Sequence, residues 1–261
     1  MELGISSSSL YPLETEKSLE FLCQNEIPVT EIFFNSVEET GMPFVKQLAA
    51  LSKTYGTRIH SVHPCGSVGE PYFLFSSYER RYKETFEFYK RYYEAAAILG
   101  AKVVVLHGDS EKCHIPDEEY AERLLAMNEV AAEFGVTVSH ENVCRYRMAT
   151  PENIKTLRRL TEDKIKFTYD VKQCIRAIGD TKPIYDAMQG NIVNVHISDH
   201  NKRFDCMLPG DGEYDFGHLF KKLKADNYDG PCLIEVYNSA YKEYDQLIQA
   251  YNFVNKIHKM Y

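Results

Sequence analysis

Four side chains suited to holding a divalent cation lie at or near the ends of successive β-branched runs in the second half of the chain. They are Glu141 in VTVSHEN, Asp170 in KFTYD, His196 in IVNVHIS and Glu235 in CLIEV. A strand sends alternate side chains to opposite faces, so parity assigns each residue a side. Val136 and Val138 belong on a helix-facing side, which sends Thr137, Ser139 and Glu141 to the other. By the same rule Phe167 and Tyr169 leave Thr168 and Asp170 inward, and Val193, Val195 and Ile197 leave Asn194 and His196. Cys232, Ile234 and Val236 leave Leu233 and Glu235. Taken singly, an inward histidine is more often a hydrogen-bonded core residue, and a strand-end aspartate usually caps a turn. Three carboxylates aimed at one axis are different, because burying like charges drives protonation. A divalent cation removes that cost, and three oxygens with one imidazole nitrogen suit Mn²⁺, Mg²⁺, Co²⁺ or Zn²⁺. One such ion on Glu141, Asp170, His196 and Glu235 is therefore expected. His63 and His107 end two earlier runs, RIHSVH and KVVVLH, with Ile59 and Ser61, or Val103 and Val105, on their parity. They are expected to bind substrate or to hydrogen-bond to Glu141. Asp109, Ser110 and Asn142 are read as turn residues or supports behind the ligands.

Bringing these residues together requires a repeating scaffold. Eight strand candidates occur: LGIS near residue 3, then 29–35, 58–63, 102–107, 136–142, 165–170, 192–198 and 232–237. Helical patterns separate them, among them PDEEYAERLLAMNEVAAEF, opened by Pro116-Asp117, and a long Tyr- and Arg-rich segment at Tyr78–Leu99. Thr150-Pro151 supplies a capping hydroxyl and a first-turn proline for the segment leading into IKTLRRL. Strict alternation implies parallel strands with right-handed crossovers. Eight units predict an α/β (β/α)₈ barrel, a single domain over residues 1–261, with the polar residues at the C-terminal mouth where such barrels keep their sites. An open doubly wound sheet is less favoured, because no G-x-G-x-x-G follows the first strand. The connection Pro64–Ser77 is long and carries three aromatics, which suits either a lid or local packing and dimer contact.

The composition narrows the function classes. A formal charge of -8 disfavours a non-specific hold on nucleic acid. No apolar run approaches the ~18 residues of a membrane span, and the N-terminus lacks a secretory pattern, so a cytoplasmic protein is expected. The 7 cysteines are scattered without a C-x-x-C pair and read as reduced thiols.

Together VVVLHGD, SHENV, DVKQ, NVHISDHN, LPGDGEYDF and LIEVY resemble the xylose isomerase-like barrel superfamily of sugar isomerases and epimerases, which also contains endonuclease IV. The pieces span most of the chain in the family's order, and LPGDGEYDF after H-I-S-D is the most specific. In ketose 3-epimerase-like members the resemblance assigns the metal to Glu141, Asp170, His196 and Glu235, the set that parity selects. Two departures stand out. Gln173 occupies the last place of a D-x-x-H motif, and the loop after His196 lacks the Asp-x-His pair of the endonuclease cluster. These argue against DNA repair, leave the sugar pocket non-standard, and make Gln173, Lys202 and Arg203 candidate substrate contacts.

The implied reaction is proton abstraction beside a carbonyl of a sugar or keto-polyol, through a metal-stabilised enediolate, with Glu141 and Glu235 as acid and base. Isomerisation, epimerisation and dehydration of a keto-polyol share these parts. The partner is then a small carbohydrate or keto-polyol, and a homo-oligomer is compatible with the sequence. Competing readings are a multi-metal phosphodiester hydrolase and a non-catalytic metabolite-binding barrel that keeps its metal shell.

Overall fold

The computed structural model describes residues 1–261. Eight short strands alternate with helices, as the repeating apolar runs require. The strands are β1 (Glu2–Ser6), β2 (Val29–Phe33), β3 (Arg58–His63), β4 (Val103–Leu106), β5 (Thr137–Glu141), β6 (Lys166–Asp170), β7 (Ile192–Ile197) and β8 (Pro231–Ile234). Every neighbouring pair is parallel, and β8 returns to pair with β1, closing the barrel. Around it lie α1 (Thr15–Gln24), α2 (Met42–Tyr55), α3 (Glu79–Leu99), α4 (Asp117–Glu133) and α5 (Pro151–Leu160), followed by α6 (Val171–Ile178), α7 (Lys182–Met188), α8 (Phe216–Ala225) and α9 (Tyr244–His258). None of these helices is long and apolar enough to cross a membrane.

Strand parity is realised as expected. Val138, Phe167, Tyr169, Val195, Ile197, Cys232, Ile234 and Val236 join the large apolar core. The opposite faces interlock through polar contacts, such as Ser139 Oγ 2.7 Å from Thr168 Oγ1. Parity slips at two register shifts: β7 skips Val193 where it pairs with β6, so that Ile192 rather than Val193 packs against the core, and the other shift is on β3. Its pairing with β2 skips His60, so Ile59 joins the apolar core while Ser61 turns to a buried carboxylate, Glu31. A bulge of this kind re-aims the side chains that follow it.

Helix starts follow local chemistry. Thr150 Oγ1 accepts from Asn153 N at 3.3 Å, with Pro151 in the first turn of α5. The long Pro64–Ser77 connection is divided. Phe75 is buried, Tyr72 and Phe73 are exposed, and Val68 reaches the barrel mouth. The buried Glu70 ties it down, accepting from Tyr89 Oη and Gly108 N at 2.6 Å each.

Candidate active site at the barrel mouth

The four ligands expected from sequence converge. One donor atom from each of Glu141, Asp170, His196 and Glu235 lies within 4.8 Å of every other. Glu141 and Asp170 are the last residues of β5 and β6, while Glu235 directly follows β8. His196 Nδ1 stands 3.3 Å from Glu235 Oε2 and 3.8 Å from both Glu141 Oε1 and Asp170 Oδ2. That nitrogen is buried and has no hydrogen-bond partner. A buried polar atom without a partner is costly, and this one faces three carboxylates. A divalent cation among them fits this donor set.

The side chains behind the cluster explain how it is held. Glu31 on β2 is fully buried, with Oε2 3.1 Å from His196 Nε2 and 2.7 Å from Ser61 Oγ, which donates to it. Asn194 Nδ2 is beside the same carboxylate oxygen at 3.2 Å. An ionised carboxylate only accepts, so His196 Nε2 must carry hydrogen and a neutral ring leaves its lone pair on Nδ1. Asn142 replaces the strand ladder beyond Glu141: its amide accepts from Asp170 N at 2.8 Å and donates to Asp170 O at 3.0 Å. Asp170 Oδ1 also caps α6 by accepting from Gln173 N at 3.0 Å, which leaves Oδ2 for the cluster.

A second set adjoins the first. His63 Nε2 is 2.9 Å from His107 Nε2, and these nitrogens lie 3.8 and 3.2 Å from Glu141 Oε2. His63 Nδ1 donates to Pro64 O at 3.2 Å, which aims its other nitrogen at this group. His63, His107 and Glu141 could also hold an ion. Gly108 follows His107 with φ +86, and a β-carbon there would run into Tyr120 Oη and His140. Only glycine accommodates both demands, which accounts for the G of LHGD.

Lys172, in the first turn of α6, was not anticipated. Its buried ammonium pairs with Asp170 Oδ2 and donates to Glu235 Oε2 at 2.7 Å. Glu235 Oε1 accepts from Ser8 Oγ at 3.1 Å.

Electrostatics follow from these contacts. Burial alone would raise Glu141 and Glu235. The imidazoles of His107, His196 and His63 beside it hold Glu141 well below the usual carboxylate range, and the charges of Lys172 and His196 do so for Glu235. Burial opposes charge on His196, yet the carboxylates of Glu31 and Glu235 keep it well above its ordinary value. For Asp170, burial outweighs the attraction of Lys172 and the net direction is upward.

The cluster opens into a cavity of about 370 Å³. Its lining includes Glu141, Glu235, His63, His107, Lys172 and Gln173. Gln173 Oε1 is occupied in accepting from Cys144 N at 3.1 Å. Lys202 and Arg203 are exposed in the loop after β7 and do not line this cavity. The remainder of that loop has a structural logic. Asp199 accepts from the backbone N–H groups of His200, Gly210 and Tyr214 at 2.8–2.9 Å, folding LPGDGEY back on the strand end.

A closed parallel barrel with carboxylates and imidazoles gathered at the C-terminal ends of its strands defines a barrel-mouth site of the kind seen in (β/α)₈ enzymes. Residues 21–257 match the xylose isomerase-like TIM barrel family, and the chain belongs to it. Among curated relatives, an uncharacterised protein of Methanocaldococcus jannaschii is 27% identical over 253 residues, covering 90% of this chain and 83% of that protein. An inosose dehydratase of Lactiplantibacillus plantarum is 26% identical, but the match spans 48% of this chain and 49% of the dehydratase. Among solved structures, a D-tagatose 3-epimerase-like protein is 26% identical, with a TM-score of 0.77 and coverage of 98% of this chain and 99% of that one. A D-psicose 3-epimerase crystallised in the presence of D-fructose has a TM-score of 0.81 at 13% identity, with coverage of 100% and 99%. At that identity the likeness is one of fold alone.

Proposed function

We propose that the protein is a divalent-metal-dependent isomerase or epimerase of a sugar or keto-polyol, acting by proton transfer at the carbon beside a carbonyl. One observation carries the reading. Two glutamates at the ends of strands three apart around the barrel, Glu141 buried and Glu235 largely so, line one cavity and stand 3.8 and 3.3 Å from the unpartnered His196 Nδ1. Glu141, Asp170, His196 and Glu235 would hold the ion, and Mn²⁺, Mg²⁺, Co²⁺ and Zn²⁺ all suit that donor set. Such an ion supplies Lewis-acid polarisation of a carbonyl and its neighbouring hydroxyl.

The remaining steps belong to the chain. The Lys172 ammonium beside it keeps Glu235 ionised, so a Glu235 oxygen is poised to take the proton from carbon. The C–H electron pair moves into an enediolate, and Glu141, reaching from another strand, returns a proton to the opposite face. Glu141 rests ionised, so it must first take a proton from the His63–His107 pair, His107 lining the cavity and contacting Glu141 Oε2; solvent restores that proton and takes the one left on Glu235 as product departs. Return of the proton to the neighbouring carbon, the former carbonyl, with a proton passed between the two oxygens, would be isomerisation instead.

Dehydration begins with the same abstraction, and the inosose dehydratase relatives favour it as a second reading. The test is incubation of the Mn²⁺-loaded protein in deuterated water with a panel of ketoses and inososes, followed by NMR. Deuterium beside the carbonyl supports epimerisation or isomerisation, while loss of water without a new epimer supports dehydration. Absence of exchange and of product across the panel would count against both. Glu235→Gln is expected to keep the fold and lose exchange by at least about a thousandfold. Full activity in that variant would contradict the two-glutamate scheme.

A further inference from the structure

Lys172 is the one lysine or arginine lining the mouth cavity, and it is 3% exposed. Lysine is rarely buried to this degree unless paired. Its partners are the carboxylate atoms that face His196 Nδ1, namely Asp170 Oδ2 at 3.8 Å and Glu235 Oε2 at 3.3 Å. The atoms that turn toward the centre of the ligand set are therefore already held by an ammonium group. Glu141 has no such tie and is partnered by histidines. An ammonium carries three donors, and two are spent on Asp170 and Glu235. The Lys172 Nζ also sits 5.7 Å from the ring of Tyr237, a half-exposed residue of the cavity rim.

We propose that Lys172 is a resident counter-cation of the metal site, competing with the divalent ion for Asp170 and Glu235 and thereby weakening its binding. This rests on the metal-centre reading of the four ligands. Two cations sharing the same oxygens in a buried site repel, so a metal entering the cluster must displace Lys172 from at least one carboxylate or bind against its charge. Lys172 is thus a positioning residue. It ties Asp170 and Glu235 together without metal, at the cost of affinity when metal arrives.

The experiment is a calorimetric titration of metal-stripped protein with Mn²⁺ alone, comparing wild type, Lys172→Met and Lys172→Arg. Circular dichroism would confirm the fold of each. Lys172→Met is expected to bind Mn²⁺ about 10- to 100-fold more tightly than wild type, while Lys172→Arg, which keeps the charge, is not. A merely structural lysine would produce equal or weaker binding in Lys172→Met, and that result overturns the proposal. Tighter binding in both variants also overturns it, since charge would then not be the cause. Failure of wild type and Lys172→Met alike to bind Mn²⁺ removes the metal-centre reading and this inference together. Equal binding removes the inference alone. If Lys172→Met does not fold without metal, Lys172→Gln carries the same expectation. A crystal structure of the Mn²⁺-loaded wild type provides an independent check, because Lys172 should have left Asp170 or Glu235. Retention of both contacts beside a bound ion would contradict displacement.

Discussion

Glu31 Oε2 lies 3.1 Å from His196 Nε2, and both side chains are fully buried in the barrel. This contact joins β2 to β7 and decides which imidazole nitrogen faces the acids. A carboxylate behind a ligating histidine commonly sets both its tautomer and its orientation. Glu31→Gln should therefore weaken Mn²⁺ binding about 10- to 100-fold by calorimetry while leaving the ligand set intact. Unchanged affinity would show that His196 is oriented by packing alone.

Glu70 yields a pH prediction of defined sign. Burial holds its carboxyl above the ordinary value of 4.5, against the charge of His107 and the hydrogen bonds from Tyr89 and Gly108. The folded protein thus keeps this proton to higher pH than the unfolded chain. Its contribution to stability is full below about pH 4.5 and declines as pH rises toward the folded value, by at most ~1.4 kcal/mol per pH unit. Glu70→Gln lacks this term. Its Tm relative to wild type should climb as pH rises from about 4.5 and then level off. A difference independent of pH would contradict the assignment.

Gly108 tests the loop that presents His107. A side chain at φ +86 costs about 1–2 kcal/mol, and the collision with Tyr120 and His140 adds about 1–3 kcal/mol. Gly108→Ala should lower Tm by about 5–15 °C on a chain of this size. A Tm within a degree of wild type would mean that the turn relaxes freely.

The barrel was legible because its periodicity is strong. All eight strand candidates correspond to observed strands, and parity identified the four residues that converge. The same rule applied to β2 selects Glu31, since Ile32 and Phe34 face the core. It was passed over because Glu31 lies mid-strand rather than at a strand end. Lys172 was less accessible. A lysine in a helical first turn ordinarily points to water, and only the barrel's closure places Asp170 and Glu235 around it. Lys202 and Arg203 show the reverse. Their charge suggested substrate contact, but loop conformation is set by Asp199, and both remain exposed outside the cavity lining. The β3 bulge at His60 likewise leaves no mark in the alternation of RIHSVH.

The most direct test of the account is a metal count. Metal-stripped protein would be reconstituted with Mn²⁺, freed of excess by gel filtration and assayed by elemental mass spectrometry, alongside His196→Ala. Wild type should retain about one equivalent per chain and the variant should lose it almost completely. Equal metal in His196→Ala, or none in wild type, would contradict the proposed centre. Two equivalents, with one surviving in His196→Ala, would shift the chemistry toward the neighbouring group of His63, His107 and Glu141.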